Sequence, residues 1–81
     1  MIAADAPLRR GEYVTLDGAG EPIVAFVAMA SQNGRSLILM FDAIVFGFVS
    51  CAPVLQRDDG QWALLTGQPI ELTRYTGDTQ R

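Results

Sequence analysis

Carboxylates are the side chains with the most chemical capacity in this sequence. Asp42 is the sole charge between Arg35 and Arg57. A carboxylate set among apolar residues can serve as a general acid or base, but that work needs a second group within reach. The sequence names no such group, and a turn role fits Asp42 better, its side chain bonding local backbone N–H groups between two strands. Asp58-Asp59 is an adjacent acidic pair followed by Gly60. Calcium sites take six to eight oxygens, so this pair is too small and reads as a hairpin turn. Cys51 is the single cysteine, and no Lys, His or nearby Arg is present to activate it. We expect an inert thiol in the core or in an interface. Trp62, Tyr13 and Tyr75 could stack on a single-stranded nucleic acid or a proline-rich peptide. Nucleic acid would also require a basic groove, whereas Asp58 and Asp59 beside Trp62 suit a peptide; rim or core packing is the plainer use of these rings.

Residue types that are missing narrow the function further. With no histidine, the commonest general base and metal ligand is absent, and Ser–His and Cys–His nucleophile pairs are excluded. With no lysine, a P-loop is impossible. One cysteine forbids an internal disulfide or a multi-cysteine zinc site and points to a reducing cytoplasm. A net charge of -3 argues against nucleic acid, and Arg9-Arg10 reads as a solvated arm. We expect no metal and no cofactor. Arginine without lysine, with many Ala and Gly, suggests a GC-rich bacterial source.

The elements that hold these residues follow from turn chemistry. The 81 residues make one domain, with its core over 12–75 and loose ends at 1–8 and 76–81. A hydrophobic fraction of 49% is too high for a disordered chain. Residues 1–7 lack the basic and apolar regions of a signal peptide. Turns are marked by Asp17-Gly18-Ala19-Gly20, Asn33-Gly34, Asp58-Asp59-Gly60 and Thr66-Gly67-Gln68-Pro69. Apolar runs between turns at this spacing predict an all-β fold, a small antiparallel barrel or strongly curled sheet of five to six strands. The strands are expected at 12–17, 23–30, 36–41, 44–50 with a bent continuation at 53–57, 61–65 and 70–75. Gly47 would supply a bend inside the fourth. The length and turn pattern match barrels of SH3-like size, an analogy of architecture that carries no function.

Hydrophobic alternation separates two kinds of strand. Val14 and Leu16 face one way while Tyr13, Thr15 and Asp17 face the other; Ile70 and Leu72 oppose Glu71 and Thr73. These strands want one wet face. The middle strands are apolar on both faces. Ile23, Ala25, Val27 and Met29 oppose Val24, Phe26, Ala28 and Ala30; Leu37, Leu39 and Phe41 oppose Ile38 and Met40; Ile44, Phe46 and Phe48 oppose Val45 and Val49. At roughly 25 cal/mol per Å², leaving the second face wet forfeits several kcal/mol. A second copy of the chain is the simplest cover, with Phe26, Met40, Phe46 or Phe48 at a homodimer interface.

Rival readings share these runs. Pro22 could open a helix over 22–32, and 37–49 also fits helical spacing, which would make the fold α+β. The β-branched residues and Gly47 oppose helices. Residues 36–56 are long enough to span a bilayer, yet Asp42 inside the run costs about 2.5–3.5 kcal/mol on insertion scales. The sequence therefore predicts a non-enzymatic binding or assembly module that self-associates, with a protein or peptide partner as a further possibility and Trp62 at its rim. The alternatives are a membrane-associated protein using 36–56 and a small carboxylate enzyme using Asp42.

Overall fold

The computed structural model describes residues 7–18 and 20–75. They form six strands: β1 (Tyr13–Asp17), β2 (Ile23–Ala30), β3 (Ser36–Val45), β4 (Phe48–Gln56), β5 (Trp62–Leu64) and β6 (Pro69–Arg74). Each strand pairs antiparallel with the next, and β6 pairs back with β1 to close a barrel. The all-β expectation holds, and both runs considered for helices are strands. β-branched and aromatic side chains favour that outcome because they pack well on a pleated surface.

The barrel interior is filled by alternate residues of every strand. Val14, Leu16, Val27, Leu39, Val45, Leu64 and Ile70 are the largest fully buried side chains. Among the described residues no polar or charged residue is buried. The inner set of β1 and β6 is the one that alternation predicts.

The β3–β4 connection departs from the sequence reading. Asp42 is not in a turn; it lies within β3, which continues to Val45. The reversal falls at Phe46-Gly47, between the paired residues Val45 and Phe48. Both turn residues have positive φ, 48° and 86°. That is the backbone of a two-residue type I′ hairpin, whose twist matches the strands it joins. Gly47 therefore makes a turn and not a bend within a strand. The fourth strand and its expected continuation are one strand, Phe48–Gln56. Pro53 is tolerated inside it because its side of the backbone faces away from β3: the Pro53 carbonyl accepts from the Leu65 N–H, while the Gln56 N–H donates to Arg35 on the β3 side.

Two irregularities interrupt the strand register, and the first resets which face is wet. Register shifts between Val27 and Met29, so Ala28 is an extra residue in β2. One extra residue flips everything beyond it. Met29 consequently points outward and is exposed, although alternation placed it with buried Ala25 and Val27. A second shift lies between Met40 and Ile44, opposite Ser50, whose φ is 70°.

Leu8 packs against the core. Pro7 and Leu8 cross Gly34, which sits in the β2–β3 turn at φ 73°; a β-carbon there would come within 2.5 Å of Pro7 Cβ. Residues 1–6 and 76–81 lie outside the described residues.

Candidate functional site

The outer surface of β2, β3 and β4 carries the feature that this fold leaves unexplained. Tyr13 pairs with Phe26, Phe26 with Met40, and Met40 with Cys51. Residues opposite in register point to the same face, so these four form one row across four strands. A second row runs beside it: Met29 pairs with Ile38, and Ile38 with Pro53. Toward the hairpin tip, Ile44 pairs with Val49, and they are 69% and 64% exposed. Phe46 at the tip and Met40 in the first row are about half exposed. The three strands carry one charge, Asp42. Scattered exposed apolar residues are ordinary, but a contiguous apolar face marks an interaction surface.

Charges gather elsewhere. Arg35 Nη2 lies 3.1 Å from Asp58 Oδ1, joining the start of β3 to the β4–β5 turn. Arg74 Nε lies 3.3 Å from Glu12 Oε1 on the β1–β6 side. The outer faces of β1 and β6 present Thr15, Asp17, Glu71 and Thr73. The apolar face is thus bounded by polar surface.

A groove of about 450 Å³ lies at this end of the face, its lining including Met29, Ile38, Pro53, Leu55 and Leu65. The edge of β4 is less inviting. β5 pairs with β4 at Val54, Leu55 and Gln56, so among the described residues no strand pairs with Phe48–Ala52 on that side. Pro53 offers no N–H along this edge, and Ser50 breaks its extended geometry. Prolines and bulges of this kind block strand addition. The face, not the edge, is the exposed apolar surface.

The residues singled out from sequence distribute as follows. Met40 and Phe46 are exposed on this face or its tip, and Phe26 is half-buried within it. Phe48 is half-buried and packs against the core, so it contributes inward. Cys51 is exposed, not held in the core. Asp42 is exposed between Met40 and Ile44 on the outside of the barrel, an open position that assembles no acid–base pair. Trp62 is half-buried and borders a hollow of about 180 Å³ with Gln61, Ile70, Glu71 and Leu72. Tyr75 is tied to Tyr13, its N–H donating to the Tyr13 carbonyl. β6 lies between Trp62 and that pair, so the three rings form no common platform. Sequence reasoning missed Met29, Ile44 and Val49 as members of the apolar face; Ile44 and Val49 share it because the hairpin turns at Phe46-Gly47.

Among the described residues no group of three His, Cys, Asp or Glu side chains converges as metal ligands would. No helix among them is long and apolar enough to cross a membrane; residues 36–56 form the β3–β4 hairpin. No family model, curated protein or solved structure matches the chain.

Proposed function

We propose that this chain is a non-enzymatic assembly module, a small barrel that self-associates as a homodimer through the outer face of β2, β3 and β4. The observation that carries this reading is the contiguous exposure of Met29, Met40, Ile44, Phe46 and Val49 with one charge among them. A wet face of this kind forfeits hydrophobic free energy that a partner recovers. The exposed thiol of Cys51 suits a reducing bacterial cytoplasm, where it stays free.

The test is absolute mass in solution, by size-exclusion chromatography with light scattering in detergent-free buffer. A dimer is expected for the native chain, and a monomer for Val49→Glu and Met40→Glu. The thiol of Cys51 should label more slowly as concentration rises. A native chain that stays monomeric over a wide concentration range would overturn the self-association and turn the search to an apolar protein or peptide partner. Solubility only with detergent would favour the membrane-associated reading.

A further inference from the structure

The groove between Met29 and Leu65 is apolar along its length and has a cation at one end. Its volume of about 450 Å³ lies within the range of small-molecule sites, roughly 300–1,000 Å³. No charged side chain lines it. Met29, Ile38 and Pro53 stand opposite one another in register on three neighbouring strands. Leu65 follows beyond Pro53, whose carbonyl accepts from its N–H. Strands lie about 4.8 Å apart, so this apolar row runs for roughly 14 Å.

One guanidinium is fixed at the Leu65 end. Arg57 follows groove-lining Leu55 by two residues, and its Nη2 donates to the Gly67 carbonyl at 3.2 Å, two residues past Leu65. Two residue steps are about 7 Å, so the charge stands just outside the apolar lining. Among the described residues, Arg35 pairs with Asp58 and Arg74 with Glu12, and Arg57 belongs to neither ion pair. The carboxylates that follow it in sequence are engaged elsewhere: Asp58 with Arg35, and Asp59 as acceptor of the Gln61 N–H. The charge of Arg57 is thus left to solvent or to a ligand. Ser36, opposite Leu55 in register, adds a hydroxyl-bearing residue to the lining.

We propose that this groove binds a fatty acid, its alkyl chain laid along Leu65, Pro53, Ile38 and Met29 and its carboxylate on Arg57. The site needs one copy of the chain only. An alkyl chain suits it better than a peptide does. β3 is hydrogen-bonded on both sides, to β2 and β4, so its outer surface offers side chains and no free backbone groups. Pro53 has no N–H, and its carbonyl is taken by Leu65. A peptide laid here would bury backbone N–H and C=O groups without partners, a cost that an alkyl chain does not meet. Met29 is 62% exposed, and its unbranched side chain can repack over the bound chain.

Octanoate, kept below its micellar concentration, is titrated into the chain and followed by methyl NMR. Octanol, acetate and a short apolar peptide with a free carboxylate serve as comparisons. The same titrations on Val49→Glu keep a groove covered in a dimer from being read as a missing site. Shifts are expected at Met29, Ile38, Leu55 and Leu65. Octanol has the same chain and no charge, and should bind about threefold to fivefold more weakly, the worth of one exposed charge contact. Salt should narrow that gap. Acetate should not bind. Arg57→Gln should remove the difference between octanoate and octanol, and Leu65→Glu should abolish binding of both. Both residues are exposed, so strand content by circular dichroism should match the native chain. Absence of shifts in both the native chain and Val49→Glu, or native affinity in Leu65→Glu, would overturn the site. Equal binding of octanoate and octanol would overturn the anionic ligand, and tighter binding of the peptide would overturn the alkyl one.

Discussion

Tyr13 and Phe26 meet edge to face across β1 and β2, their ring centroids 5.2 Å apart and their planes inclined by 61°. They are opposite in register, and both lie outside the barrel. This contact links the polar side of the molecule to its apolar face. Such a pair contributes about 0.5–1.5 kcal/mol beyond area burial. A double-mutant cycle of Tyr13→Ala and Phe26→Ala, followed by urea denaturation, should return a coupling energy in that range. Phe26→Ala should also weaken the dimer, while Tyr13→Ala should do so less.

Leu39 and Met40 are consecutive in β3 and have opposite roles. Leu39 is fully buried and Met40 is half exposed. Leu39→Ala should cost about 2–5 kcal/mol, from lost transfer free energy and the cavity left behind. That is a large share of the stability of a domain this small. Met40→Glu should leave the denaturation midpoint of the monomer nearly unchanged and abolish the dimer. Denaturation curves read with mass at matched concentrations distinguish the two effects.

The tip of the β3–β4 hairpin holds a phenylalanine where type I′ turns prefer asparagine. Phe46 has φ 48°, a region that costs a bulky L-residue about 1–2 kcal/mol. Phe46→Asn should therefore raise the thermal midpoint, and Gly47→Ala should lower it, since Gly47 has φ 86°. If Phe46→Asn raises stability while weakening the dimer, the strain is retained for the exposed ring.

The same turn shows where sequence reading stops. Asp17-Gly18, Asn33-Gly34 and Asp59-Gly60 announce their turns because their side chains and glycines favour turn geometry locally. Phe46-Gly47 carries only half of that signal, and Asp42 offered a competing one. Strand pairing decided between them, and pairing is a non-local property. The alternation of Val14 with Leu16 and of Ile70 with Glu71 was legible because no extra residue interrupts those strands. Ala28 has no signature as a bulge, so the outward turn of Met29 could not be counted from the pattern. Of the candidate face, Phe26 and Met40 were legible from the two-sided apolar runs. Phe48 was not, because its direction depends on the position of the turn.

Gly34 lies under Pro7 and Leu8. A β-carbon there would press to 2.5 Å from Pro7 Cβ and 3.0 Å from the Leu8 backbone nitrogen. Gly34→Ala should displace this segment, pulling Leu8 off the core, and cost more than the roughly 1 kcal/mol of the positive φ alone. Protease cleavage near Arg9 and Arg10 should accelerate in the variant. Leu8→Ala, which leaves Gly34 untouched, should reproduce the faster cleavage with a smaller loss of stability.

Because every strand bonds to its neighbour in the chain, the β1–β6 seam is, among the described residues, the one strand pairing that joins distant parts of the sequence. Hairpins with short turns close quickly, whereas a long loop must lose more chain entropy before its contacts repay it. Formation of this barrel should therefore end with the zipping of β1 onto β6. Substitutions along that seam, such as Leu72→Ala, should chiefly speed unfolding, and those between β3 and β4, such as Leu39→Ala, should slow folding. The apolar hairpin that we assign to the dimer would then be complete while the barrel is still open. Its exposed face would be available to a second chain before folding ends, so the rate of assembly and the yield of folded protein should both depend on concentration.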